Sequence, residues 1–101
     1  MIEIVESATF KRWLQKLRDR RAVARINARL RNVSFGHFGD AKPVGGGISE
    51  MRIHHGPGYR LYFMRDGLNV VVLLCGGHKD AQTRDMERAR QLAKDWGKNH
   101  D

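Results

Sequence analysis

The sequence is short of cysteine, of acids and of long apolar runs, and each shortage excludes something. Cys75 is the one cysteine among 101 residues. It builds neither a disulfide framework nor a cysteine-ligated zinc site within one chain, and its place inside an apolar run reads as packing. No stretch approaches the ~20 apolar residues that crossing a bilayer requires. The opening MIEIVESATF lacks the apolar segment of a secretory leader, so a soluble cytoplasmic chain is expected. Asp plus Glu number 11 against 19 Lys plus Arg, a net charge of +8. An imbalance of that size on so small a chain favours contact with phosphates, or neutralisation by an acidic partner. Internal repeats and low-complexity segments are missing too. The length suits one domain over residues 1–101.

What is present has the periodicities of a folded α+β domain. IEIV at residues 2–5 reads as a strand, with Ser7 or Thr9 placed to cap a following helix. Phe10, Trp13, Leu14 and Leu17 form one helical face, and Val23, Ile26, Leu30 and Val33 a second. A turn at Asp19–Arg21 joins them as a helical hairpin. Arg18, Arg20, Arg21, Arg25, Arg29 and Arg31 then read as a solvated face. GHFGDAKPVGGG, residues 36–47, reads as a loop. The GGG run at 45–47 is not a phosphate loop, because no Gly-Lys-Ser/Thr follows. Strands are expected at about 48–54, 59–65 and 68–75, and Ala81, Met86, Ala89, Leu92, Ala93 and Trp96 mark a closing helix. The expected order is β-α-α-β-β-β-α.

Alternation sorts the strand residues by face. Pairing apolar with apolar sets Met51 opposite Phe63 and Ile53 opposite Leu61, leaving His55–Tyr59 as the loop. Arg52 then faces Tyr62, and His54 faces Arg60. Asp66-Gly67, taken as a two-residue turn, sets Arg65 opposite Leu68 and Phe63 opposite Val70. That puts Val70, Val72 and Leu74 on the buried face and Val71, Leu73 and Cys75 on the mixed one. Gly76 to Lys79 should emerge near His54 and Arg60.

Cations gathered this way repel one another unless an anion offsets them. Arginine gives bidentate donors to phosphate, tyrosine a face for a base, and histidine a proton near neutral pH. These types suit RNA cleavage without a metal or other cofactor. One group takes the 2′-hydroxyl proton, others hold the charged phosphate, and another protonates the leaving 5′-oxygen. Arg52, Arg60 and Lys79 suit the phosphate. His54 is the first candidate for proton transfer, and His55 and His78 are the others. Tyr62 is placed to orient a base or the phosphate, and Arg65, His55 and His78 to bind RNA. His37 and His100 carry no assignment.

Glu50-x-Arg52-Ile53, the HGPGYR-x-YF stretch from His55 to Phe63 and LLCGG-x-K-x-x-Q from Leu73 to Gln82 resemble the RelE/ParE superfamily of bacterial type II toxins. The resemblance is to its HigB-like branch, often called addiction module killer proteins. F-x-x-W-L at Phe10–Leu14 and ARI-x-x-RL at Ala24–Leu30 fit as well, so nearly the whole chain is covered. The resemblance implies a helical hairpin packed on a small curved, mainly antiparallel sheet. It also implies a ribosome-dependent mRNA endoribonuclease needing no metal, silenced by a helix-turn-helix antitoxin in a hetero-oligomer. Arg52, Arg60 and Lys79 match the family's basic positions. The aromatic or histidine that RelE-type enzymes carry near the C-terminus has no equivalent in DAQTRDMERARQLAKDW. ParE relatives instead inhibit DNA gyrase on the same fold. A gyrase inhibitor and a plain nucleic-acid-binding module are therefore the competing readings.

Overall fold

The structure is a computed structural model and describes residues 1–99; His100 lies outside the described residues. The chain runs β1 (Glu3–Glu6), α1 (Ala8–Lys16), α2 (Arg20–Ser34), β2 (Ala41–Gly45), β3 (Ile48–Ile53), β4 (Tyr59–Arg65) and β5 (Val70–His78). A short 3-10 turn (Lys79–Ala81) then leads into α3 (Gln82–Asn99). The fold class is α+β as expected, with one strand more than the sequence suggested. The five-stranded sheet has the order β1-β5-β4-β3-β2. β1 lies parallel to β5 and every other pair is antiparallel.

The first two helices start where side chains satisfy free amides. Ser7 Oγ accepts from Phe10 N at 3.0 Å and donates to Leu74 O at 2.7 Å, so one hydroxyl caps α1 and ties it to β5. Asp19 caps α2 by accepting from Ala22 N at 3.1 Å. The sheet separates two apolar layers. On one face Phe10, Ile26, Leu30 and Val33 of the helical hairpin pack against Met51, Leu61, Phe63, Val71 and Leu73. On the other, Ala89, Met86, Leu92 and Trp96 of α3 pack against Ile48, Tyr62, Val72, Leu74 and Cys75. Both faces are therefore covered over most of the sheet.

Three expectations are corrected. Residues 41–45 form the edge strand β2, not loop, antiparallel to β3 with a bulge between Pro43 and Gly45. Proline and glycine are tolerated there because an edge strand needs only one ladder. The β3–β4 register is Met51↔Leu61, Arg52↔Arg60 and Ile53↔Tyr59, with residues 54–58 as the loop. This is a slip of two residues from the expected pairing, and a slip of two leaves every side chain on its face. β4 pairs with β5 as Arg65↔Val71 and Phe63↔Leu73, so the connection is longer than Asp66-Gly67. This slip is odd, and it turns β5 over. Val71 and Leu73 face the helical hairpin while Val72 and Leu74 face α3. A bulge between Tyr62 and Phe63 shifts the ladder by one, pairing Tyr62 with Cys75 and Arg60 with Gly77.

One arginine of the presumed solvated face has a different task. Arg29 donates from Nη1 to Arg52 O at 2.6 Å and from Nη2 to Phe38 O at 2.9 Å. It clamps the strand carrying Arg52 to the segment before β2. Arg18, Arg20, Arg21, Arg25 and Arg31 are exposed, as expected.

Candidate active site

Arg52 and Arg60 stand directly opposite each other on β3 and β4, a placement that repels. Glu50, two residues before Arg52 and on the same face, resolves the conflict. Its Oε1 accepts from Arg52 Nε at 3.2 Å and from Arg60 Nη1 at 3.3 Å. Its Oε2 accepts from the Tyr62 hydroxyl at 3.2 Å and from Gln82 Nε2 at 3.0 Å. Glu50 is fully buried. Burial alone raises a carboxyl pKa. Here the four donors outweigh it, and the Glu50 carboxyl lies below its ordinary value.

The anion that the cation cluster calls for is thus partly supplied by the chain. Two guanidinium groups share one carboxylate, leaving one positive charge in excess. Arg52 keeps 34% of its side chain exposed and Arg60 14%, so the free donors face outward mainly through Arg52. Arg60 Nε has no hydrogen-bond partner among the described residues. The arrangement holds two planar donors beside one another on one carboxylate, Arg52 the more exposed of the two.

Tyr62 belongs to this cluster but not as a platform. It is fully buried beneath α3, so its ring presents no face to a base. Burial and then the Glu50 charge push its hydroxyl above the ordinary tyrosine value, which makes it a donor to Glu50. The histidines at the loop leave the cluster. His54 is exposed and bonds Asp40 Oδ2 at 2.5 Å; that bond holds the Asp40 carboxyl below its ordinary value. His55 Nε2 bonds Asp19 Oδ2 at 3.2 Å, tying the loop to the α2 cap. Arg65 lies at the far end of β4, its guanidinium 5.1 Å from the Phe38 ring centroid.

Residues 76–79 do emerge beside Arg60 and the loop. His78 pairs with Tyr59, their ring centroids 5.2 Å apart and edge-on. Lys79 N donates to Gly58 O at 2.8 Å, and Gly58 takes φ +79°, a conformation open to glycine. Gln82, at the start of α3, joins the Glu50 cluster to a groove of about 850 Å³ lined by Trp13, His78, Lys79, Arg84 and Asp85. A neighbouring hollow of about 490 Å³ adds Arg12, Lys16 and Arg88. Among the described residues, no group of three or more His, Cys, Asp or Glu side chains is placed to hold a metal ion. None of the described helices is long and apolar enough to cross a membrane.

The sequence reading assigned no role to Glu50, Gln82 or Asp85. Glu50 had a usable signal, since alternation places it on the face of Arg52. Asp85 interrupts the apolar stripe that continues through Ala89, Leu92 and Trp96, which marks an acid on a buried helix face. Gln82 offered only its place in the LLCGG-x-K-x-x-Q segment.

No family model matches the chain. The fold is similar to a solved structure, the RelBE2 toxin–antitoxin complex from Mycobacterium tuberculosis. The two are 27% identical, and the match covers 77% of this chain and 98% of that one at a TM-score of 0.49. An uncharacterized protein of Haemophilus influenzae is 47% identical over 96 residues, which span 95% of this chain and 97% of the relative. At that identity and coverage, the chain belongs to one family with the Haemophilus influenzae protein.

Proposed function

We propose that the chain is the toxin of a type II toxin–antitoxin pair, an endoribonuclease that cuts mRNA on the ribosome and arrests translation. The observation that carries this reading is the pairing of Arg52 with Arg60 on adjacent strands, both on Glu50, within the segment that resembles the HigB-like toxins. The carboxylate fixes the two guanidinium planes in advance. An anion meeting preorganised donors spends little energy on ordering them. Arg52 receives the scissile phosphate, Arg60 supports it, and Lys79 approaches from the end of β5. The excess positive charge of the whole chain draws it to a polyanion. An antitoxin would cover the same basic face. The cytoplasm, where mRNA and ribosomes are, is the corresponding place of action.

Cleavage of mRNA on purified ribosomes tests the reading. Wild-type protein is expected to cut, and Arg60→Ala to lose most of that activity together with growth arrest on expression. Full cleavage by Arg60→Ala would refute the site. A wild type that leaves mRNA intact but blocks DNA supercoiling would replace the ribonuclease with a gyrase inhibitor.

A further inference from the structure

β5 outlasts its parallel neighbour. The pairing with β1 ends at Glu6↔Leu73, while β5 continues to His78. Among the described residues, no strand lies along the outer edge of residues 75–78. α1 and α3 pack on opposite faces of the sheet. They flank this uncovered stretch and make it the floor of a groove. A Cβ on Gly76 would strike the Trp13 ring, so glycine there lets the indole sit against the strand. Thr9, Arg12, Trp13 and Lys16 recur at i, i+3, i+4 and i+7, one stripe of α1. Arg84 and Arg88, four residues apart, stand on the α3 wall of the same hollow.

These four cations are exposed and poorly offset. α1 carries no acid. Among the described residues, Arg12, Lys16 and Arg88 form no ion pair, and Arg84 Nε stands 3.8 Å from Asp85 Oδ1. The other oxygen of Asp85 is enclosed against Gly77, so that acid is a counter-charge under the groove. Asp80 lies in the larger hollow beside Lys79. Cations on both walls of one hollow repel unless an anion enters. Trp13 lines both hollows and adds an aromatic surface. A simple anion would answer the cations and leave the indole unused. A nucleotide answers both, since arginine forks take phosphate and an aromatic ring takes a base. The hollows, about 850 and 490 Å³, run on to Gln82, which bonds Glu50 under Arg52 and Arg60. A strand therefore fits the groove better than one nucleotide does.

We propose that this groove binds single-stranded RNA as a second site, separate from the cluster of Arg52, Glu50 and Arg60. A base stacks on Trp13. Arg12 and Lys16 take phosphates from one wall, and Arg84 and Arg88 from the other. No bond is made or broken there. That the strand is the flank of a cleaved mRNA rests on the ribonuclease reading above; the affinity of the groove for a strand does not.

The test is a titration of Trp13 fluorescence with a 2′-O-methyl hexaribonucleotide, which has no 2′-hydroxyl to attack its phosphate. Trp96→Phe removes the second of the two tryptophans. In that background the signal is expected to quench and saturate. Arg12→Glu and Arg88→Glu, one on each wall, should each weaken binding about 10-fold, with circular dichroism unchanged. Arg88→Ala should reduce the logarithmic salt slope by about 0.7. Arg31→Glu, the same charge change outside the groove, should move the affinity far less. Trp13 emission left unmoved by the oligonucleotide would overturn the site. So would equal losses from Arg31→Glu and Arg88→Glu. Equal quenching by poly-glutamate would also overturn it and make the groove a seat for an acidic peptide. None of these failures touches the mRNA-cleavage assay, which judges the ribonuclease reading by itself. A protein that binds the hexanucleotide in the groove but cannot cut mRNA would retire that reading and keep the site.

Discussion

A carboxylate shared by arginines from neighbouring strands sets the reach of both guanidinium groups, so Glu50 governs the site from inside. Removing it leaves Arg60, mostly buried, without its counter-charge. Glu50→Ala is expected to lower stability by about 3 kcal/mol, read from urea unfolding, and Glu50→Gln by less because its amide oxygen still accepts from one pair of the donors. Gly76 is constrained in a second way. A Cβ there would meet the Trp13 ring at 2.5 Å, so the indole would have to shift from its packing toward the groove that it lines. Gly76→Ala should cost about 1–3 kcal/mol by the same measurement. Cys75 is buried against α3, and burial pushes its thiol up to about 12. It should resist maleimide until the chain unfolds. Residue type marked Arg52 and Arg60, which the structure joins on Glu50. Alternation gave Tyr62 and His54 the wrong surroundings, because it assigns a face and says nothing of what covers that face or where a strand stops.

At the scale of elements, Ser7 joins α1 to β5 by serving as cap and cross-brace at once. Ser7→Ala should destabilise the fold by about 1–2 kcal/mol, the loss of a cap together with a buried hydrogen bond. Thermal unfolding followed by circular dichroism would register it, and an unchanged Tm would remove the brace from the account. The helices were legible because apolar residues recur at one spacing and polar ones separate them. β5 was not. LNVVVLLC, residues 68–75, is apolar at nearly every position because both faces are covered, and a continuous apolar run carries no phase. β2 stayed hidden behind Pro43 and Gly45, which an edge position accommodates. The β3–β4 register escaped for a different reason. Two pairings that differ by two residues bury the same set, and loop geometry decides between them.

For the molecule as a whole, titration acts in opposite senses at its two buried acids. Glu50 titrates below its ordinary value in the fold, so its contribution is present above the unfolded carboxyl value, roughly pH 4. It is lost as pH falls through the lowered folded value. Asp85 titrates above its ordinary value, so the stability it gives is present at low pH and lost as pH rises through the raised value. Acid unfolding should therefore begin later in Glu50→Gln, which has no carboxylate to protonate at that position, than a uniform loss of stability would suggest. A pH series of urea midpoints would show the difference in slope. Affinity for single-stranded RNA should fall with salt, and Lys79→Ala should reduce the logarithmic slope by about 0.7, the share of one phosphate contact. An unaltered slope would take Lys79 off the RNA path.

The sharing of Glu50 also limits how this chain can diverge. Losing the acid strands two like charges face to face, while losing either arginine leaves the buried carboxylate short of a donor. Neither single step is neutral, so lineages that change one side should be found to have changed the other. Glu50→Gln should be rescued by Arg60→Leu more fully than the sum of the separate effects allows, which a double-mutant cycle measures.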